Sequence, residues 1–295
     1  MKTILVTGGN KGIGFAICQH LLKERSDIKV LLGSRDEGRG QNAIRLLAND
    51  PEYEDAVEQN RVDLLLIDIS DPNSVKDAAN KIADGSLFGL VNNAGIANGS
   101  LDEVMAVNYW GTRYAVDAFL PKIERPVGRI VIVSSGVGPM YVSVMMKKKY
   151  DERITEKLSQ PWRIRDINEL DTMAKTIKLK DEALSSGRKG WLPYGFTKAL
   201  LNCYTYLLSR EHPDLLINAL TPGLVKTDLA KGSNATKTPW EGAAPVLFLL
   251  FDEKVSNLPP SKQGRYYGED CKRSPLEKYR HPTEPEYDGP DGPME

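Results

Sequence analysis

The stretch Tyr194-Gly195-Phe196-Thr197-Lys198 sets a phenol and an amine four residues apart, which on a helix puts both on one face. A phenol with its ordinary pKa near ~10 exchanges protons poorly at neutral pH. A cation one turn away favours the phenolate and lowers that value, so the pair is suited to acid–base work. A lone Tyr-x-x-x-Lys is common as a surface pair, and its weight here comes from its company. Ser134-Ser135 closes the apolar run Arg129–Val133. Asn108 sits mid-helix in Val107-Asn108-Tyr109-Trp110-Gly111, where an Asn is locally unfavourable and hints at a tertiary role.

A second constellation lies at the N-terminus. Thr7-Gly8-Gly9-Asn10-Lys11-Gly12-Ile13-Gly14 follows one apolar run and opens a helical pattern. Glycines let backbone approach a ligand closely, and the helix start then offers free N–H groups to a phosphate. Strand, glycine turn and helix at the head of a βαβ unit indicate a dinucleotide site, although the spacing is G-x-x-x-G-x-G. The end of the second strand, Leu31-Leu32-Gly33-Ser34-Arg35, lacks the acid that would hold a ribose 2′-hydroxyl. Arg35, with Lys11 and Arg39, favours the 2′-phosphate of NADP instead. Arg35 and Arg39 as solvated charges, and an inward turn of Asp36 or Glu37, stay open. Asp68, just past the third strand, stands where an adenine amino group could be received. Asn92-Asn93-Ala94-Gly95 ends the fourth strand, as a structural turn, a site element or both.

The elements that must carry these groups are repeated βα units. Thr3–Val6, Ile28–Leu32, Val62–Ile67, Leu87–Val91 and Arg129–Val133 are apolar runs without polar alternation, as in strands buried on both faces. Helical patterns lie between them at Ile13–Lys23, Gly40–Ala48, Asn73–Ile82 and Leu101–Leu120, and Asp71-Pro72 supplies a cap and an N1 proline. The fold class is α/β: a Rossmann-type, doubly wound parallel sheet in a three-layer α/β/α arrangement. Residues 144–190 are polar, with helical patterns at Lys147–Leu158 and Asp166–Leu184, and read as a helical insertion before Tyr194. A helix Tyr194–Glu211, a strand Leu215–Leu220, a helix near Trp240–Phe251 and a short strand near Arg265–Tyr267 follow. Residues 1–268 thus form one domain. Residues 269–295, rich in Pro, Glu and Gly, form a loosely ordered polar tail.

Composition narrows the function classes. In 295 residues, 39 Lys and Arg nearly balance 40 Asp and Glu, for a net charge of −1, which disfavours a nucleic-acid binder. Cys18, Cys203 and Cys271 are dispersed, as are His20, His212 and His281, so no local metal motif exists and a reducing compartment is expected. The first apolar run is too short for a signal peptide and no run spans a membrane, which points to a soluble, cytoplasmic protein. Lys147–Lys149 reads as a solvated face. Met140, Tyr141, Trp191 and Trp240 are candidates to line a substrate cleft, weighed against core roles.

In chain order, Thr7-Gly8-x-x-x-Gly12-x-Gly14, Asn92-Asn93-Ala94-Gly95, Asn108, Ser135, Tyr194-x-x-x-Lys198 and Pro222-Gly223 resemble the short-chain dehydrogenase/reductase family. The NADPH-dependent carbonyl-reductase branch is similar through Asn108-Tyr109-Trp110-Gly111-Thr112-Arg113 and Pro222-Gly223-Leu224-Val225-Lys226-Thr227-Asp228. The resemblance implies a catalytic set of Asn108, Ser135, Tyr194 and Lys198. Ser135, rather than Ser134, would bind the substrate carbonyl, Tyr194 would donate the proton, and Lys198 would lower the Tyr194 pKa and hold the nicotinamide ribose. Asn108 would position a relaying water. For NADPH or NADP⁺ it implies Gly8, Asn10, Gly12, Ile13 and Gly14 at the pyrophosphate, Lys11 and Arg35 at the 2′-phosphate, and Asp68 and Ile69 at the adenine. Asn93 and Ala94 would lie on the adenosine side, and Val225 and Thr227 at the carboxamide. The substrate would be a small-molecule ketone, aldehyde or quinone. The insertion implies a monomer, with an interaction arm as the alternative, and Leu220-Thr221 removes the cysteines some animal carbonyl reductases carry there. A secondary-alcohol dehydrogenase of specialised metabolism and a non-catalytic NADP(H)-binding regulator are the competing functions.

Overall fold

A computed structural model of the chain describes residues 1–149, 151–176 and 191–292. Seven strands form one parallel sheet in the order β3-β2-β1-β4-β5-β6-β7. They are β1 (Lys2–Val6), β2 (Ile28–Ser34), β3 (Val62–Leu66), β4 (Leu87–Asn92), β5 (Arg129–Val133), β6 (Leu216–Leu220) and β7 (Tyr266–Tyr267). The order reverses between β1 and β4, and the crevice outside their carboxyl ends is where a doubly wound sheet binds ligands. The expected fold class is what the chain adopts.

The helices are α1 (Gly12–Glu24), α2 (Glu37–Ala48), α3 (Glu54–Glu58), α4 (Pro72–Asn80), α5 (Leu101–Met105), α6 (Gly111–Phe119), α7 (Val137–Lys147), α8 (Glu152–Ser159), α9 (Ile167–Thr176), α10 (Trp191–Glu211), α11 (Pro239–Phe251) and α12 (Glu253–Ser256). Both sheet faces are apolar, as the unbroken apolar runs require. Leu5, Ile130 and Ile132 face the core under α4, α6 and α10, whereas Ile4, Val6, Val131 and Val133 face the core under α1, α2 and α11. Among the described residues, no helix is long and apolar enough to cross a membrane.

Four expectations need correction. Leu101–Leu120 is not one helix: Ala106–Trp110 is a π turn between α5 and α6. The apolar stretch Val137–Lys147 is a helix, and the expected helix at Lys147–Leu158 starts only at Glu152, after the left-handed Lys149 and Asp151. Of the expected helix Asp166–Leu184, Ile167–Thr176 is observed, and 177–190 lie outside the described residues. The segment after β7 is not loose through residue 292. Its order comes from guanidinium groups rather than from secondary structure. Arg280, 5 % exposed, pairs with Asp270 and donates to Ser274 Oγ and to the carbonyls of His281 and Glu284. Asp291 is clamped between Arg265 and Arg273.

The described part of the insertion covers the outer face of α6 and α10. Asp171 of α9 accepts the Tyr109 hydroxyl at 2.7 Å and the Arg113 guanidinium at 3.3 Å, and Arg113 also reaches Tyr204 of α10 at 3.0 Å. Both charged side chains are under one-fifth exposed, so each depends on the other for its desolvated charge. Asp171→Ala should therefore destabilise the protein by about 2–3 kcal/mol. Urea unfolding checks this: a lower midpoint at unchanged slope is expected, and an unmoved midpoint contradicts the account.

Candidate active site

The carboxyl end of β5 runs directly into the candidate chemistry. Alternation turns its last serines to opposite sides. Ser134 is buried and its hydroxyl donates to the Lys198 carbonyl at 3.2 Å, while Ser135 hydrogen-bonds the Tyr194 phenol. Ser135 Oγ also accepts the Val137 N–H at the start of α7. Tyr194 and Lys198 both sit in α10, with Lys198 Nζ 5.5 Å from the Tyr194 ring centre.

Lys198 is 4 % exposed, and its amine donates to the Val133 carbonyl at 2.8 Å. Burial lowers its pKa to about 8. The folded chain thus binds fewer protons than the unfolded chain from about pH 8 up to the ordinary lysine value. Burial of the amine costs stability below about pH 8, and that cost fades as pH rises. Burial also pushes the Tyr194 phenol up to about 12, against a smaller lowering by Ser135. The expected lowering of the Tyr194 pKa by its neighbour is not seen, because desolvation dominates the buried phenol. A phenol at about 12 is fully protonated at neutral pH, the form that donates a proton.

Asn108 explains the π turn. Its Oδ1 accepts the Ile96 N–H at 2.8 Å, and its Nδ2 donates to the Ile96 carbonyl at 2.9 Å and to Thr197 Oγ1 at 3.1 Å. The wider turn carries the side chain to the loop after β4 and to α10, next to Lys198. Gly95 keeps the space between them clear: a Cβ there would lie 3.1 Å from Asn108 Oδ1 and 3.9 Å from Lys198 Nζ.

The glycine turn meets this centre across the switch point. Gly8 and Gly12 have φ of +65° and +56°. A side chain at Gly14 would overlap the Gly8 carbonyl and the Asn93 amide, so helix and loop pack in contact. The N-termini of α2, α4, α5 and α11 are capped by Asp36, Asp71, Ser100 and Thr238, whereas α1 has no side-chain cap and no acid in its first turn. Those unspent N–H groups beside flexible glycines fit a pyrophosphate. Asn10 and Ile13 lie half-buried in this turn. Thr227 faces it, with Cγ2 3.4 Å from where a Gly12 Cβ would be.

The other proposed cofactor residues divide between open and occupied. Arg35 is exposed at the end of β2, and Asp36 is turned away as the α2 cap, accepting the Arg39 N–H at 2.7 Å. Lys11 pairs with Asp228 at 2.6 Å, both largely exposed, so it bridges the glycine turn to the loop after β6. Asp68 holds the Ser70 N–H and hydroxyl with Oδ1. Ile69 and Val225 bury their side chains, against Gly111 and Gly242, and leave backbone as what they could offer a ligand. Asn93 donates to the Thr7 carbonyl at 2.9 Å, and Thr7 Oγ1 accepts the N–H groups of Asn93 and Ala94, which makes this pair a brace for the glycine turn.

Of the cleft candidates, Tyr141 is buried against Phe196 and Trp240 stacks on His20 at 3.3 Å, so neither lines a cleft here. Trp191 packs against the main core, and Met140 is exposed one turn beyond Gly136. Sequence reading missed Thr221. Its Oγ1 accepts the N–H groups of Gly136 and Gly223, tying the strand end that carries Ser135 to the loop after β6. A threonine directly before Pro-Gly is its only signal. Among the described residues, no group of His, Cys, Asp and Glu could hold a metal ion.

The family model described as short chain dehydrogenase matches residues 2–147. The chain is 32 % identical over 280 residues to (+)-neomenthol dehydrogenase of Arabidopsis thaliana, covering 83 % of this chain and 90 % of that protein. It is 32 % identical over 284 residues to carbonyl reductase (NADPH) 1 of Mus musculus, covering 88 % and 92 %. Among solved structures it resembles salutaridine reductase from Papaver somniferum, with a TM-score of 0.71 at 26 % identity, covering 90 % and 99 %.

Proposed function

The chain belongs to the short chain dehydrogenase family, and on that premise we propose that it reduces ketones, aldehydes or quinones to alcohols with NADPH. The observation that carries this reading is the pairing of Ser135 with a protonated Tyr194 above the buried Lys198 amine, at the switch point of a dinucleotide-binding sheet. The mouse relative is named as NADPH-dependent and as a carbonyl reductase, which supports both the cofactor and the reaction.

NADPH, when bound, supplies hydride to the carbonyl carbon. Ser135 donates a hydrogen bond to the carbonyl oxygen, where negative charge develops. Tyr194 passes its phenolic proton to that oxygen, so carbon gains the hydride and oxygen the proton. The Lys198 ammonium restores the Tyr194 proton through the relay beside Asn108, and holds the nicotinamide ribose. Gly8, Asn10, Gly12, Ile13 and Gly14 cradle the pyrophosphate. Lys11 and Arg35 neutralise the 2′-phosphate, and Lys11 exchanges Asp228 for it. Asp68 and backbone at Ile69 meet the adenine, Asn93 and Ala94 the adenosine side, and Val225 and Thr227 the carboxamide.

We further read the protein as a monomer, because α8 and α9 cover the outer face of α6 and α10. A cytoplasmic location agrees with the free, buried Cys18 and Cys203.

Tyr194→Phe should lower kcat at least about 100-fold while the NADPH dissociation constant stays within about threefold. A Phe variant with near wild-type turnover contradicts the assignment. If instead the wild type binds NADPH tightly and turns over nothing on a broad carbonyl panel, the regulator reading replaces this one. Arg35→Asp should raise the KM for NADPH about tenfold or more and leave NADH within about twofold. An unchanged cofactor preference removes Arg35 from the 2′-phosphate site.

A further inference from the structure

The segment after β7 returns to the active site and places one aromatic ring beside it. Tyr279 lies against Gly136, the residue after Ser135, and a Cβ on Gly136 would come within 2.8 Å of the ring carbons Cδ2 and Cε2. Gly136 is thus a glycine because a ring occupies its side-chain space.

The ring is held firmly. Its hydroxyl is hydrogen-bonded to Glu269, whose carboxylate is paired with Lys237. Glu269 also packs on Gly223 so closely that any side chain at Gly223 would overlap it. The next residue, Arg280, is the buried guanidinium that anchors the segment through Asp270 and Ser274. Yet Tyr279 itself is 38 % exposed. An aromatic side chain fixed at its hydroxyl and along one edge, with the remainder open, presents a rigid apolar surface at low entropic cost.

Two large apolar side chains stand close along the chain to the glycines that the ring and Glu269 contact. Met140 lies one turn along α7 from Gly136 on the same helix face, and Leu224 follows Gly223. Both are exposed large apolar side chains, 37 % and 53 %, which a folded chain normally buries when nothing uses them.

We infer that Tyr279 is a specificity-determining residue: its ring is the substrate-pocket wall on the Ser135 side, and it selects carbonyl compounds that carry a flat apolar group able to stack on it. This rests on the carbonyl-reductase reading and names the substrate class within it. A purely structural role, capping Gly136, would affect all substrates alike.

Steady-state kinetics with NADPH on 4-nitroacetophenone and on propanal separate the two. Tyr279→Ala should raise the KM for the aryl ketone about tenfold with kcat little changed, and leave kcat/KM for propanal within about twofold. Tyr279→Phe should keep aryl selectivity. Gly136→Ala, whose methyl displaces the ring while every C-terminal side chain is kept, should reproduce the Tyr279→Ala pattern, and it decides the question if Tyr279→Ala does not fold. Equal losses on both substrates, or none on either, overturn the proposal. If the wild type reduces neither compound, the carbonyl-reductase reading fails on its own. The wall is then judged by equilibrium binding of 4-nitroacetophenone, followed by fluorescence quenching. Weaker binding to Tyr279→Ala supports the wall, and equal binding to wild type and variant overturns it.

Discussion

A single buried amine organises the functional end of this protein. Lys198 donates to the carbonyl of Val133, the last residue of β5, and the Lys198 carbonyl accepts the hydroxyl of Ser134, the next residue. The two bonds run in opposite senses and lock α10 to the end of β5. Ser135 and Tyr194 face each other only because this lock holds. Asn108 adds a third tie, joining Thr197 of the same helix to the loop after β4. A cation so placed is expensive to bury, and its pKa falls to about 8 in consequence. In the proposed reaction that cost has a use, because an amine with a pKa of about 8 can hold a proton near neutrality and release it.

Two additions surround this centre on different sides. The insertion lies over the outer face of α6 and α10, fastened by Asp171 to Arg113 and Tyr109. The C-terminal segment brings Tyr279 against Gly136, and is fastened by Arg280 to Asp270 and by Asp291 to Arg265 and Arg273. The insertion also buries Leu158, Ile164, Ile167, Leu170 and Met173 in the main core, whereas the C-terminal segment is tied down chiefly by guanidinium groups.

The inner strands and the glycine turn are legible in the sequence because their signals are local. Apolar runs without alternation mark the inner strands, Asp71-Pro72 caps a helix as read, and the glycine turn follows its strand directly. Ser135 rather than Ser134 is what the family resemblance and strand alternation imply, and in the structure Ser135 is the one that hydrogen-bonds Tyr194. What was not legible depends on distant partners. The π turn at Asn108 exists because Ile96 and Thr197 take its amide, and helix periodicity does not record them. Val137–Lys147, with Gly138-Pro139 near its start, lacks a helical signature and folds as a helix against α10. The C-terminal segment has the composition of a disordered tail, and guanidinium anchors from Arg265, Arg273 and Arg280 to carboxylates and carbonyls override it. A lowered Tyr194 pKa is what the Tyr-x-x-x-Lys spacing and the family resemblance imply, and neither accounts for the desolvation that dominates this buried phenol.

The account turns on the Lys198 ammonium as the group that resupplies the proton in reduction. The pH dependence of kcat for NADPH-driven carbonyl reduction tests it most directly. With the Lys198 pKa at about 8, the rate should be level below that pH and fall about tenfold per unit above it. In Lys198→Arg, whose guanidinium does not titrate in this range, the fall near pH 8 should vanish from whatever activity remains. A wild-type profile that stays level through pH 9.5, or an identical fall in Lys198→Arg, would contradict it.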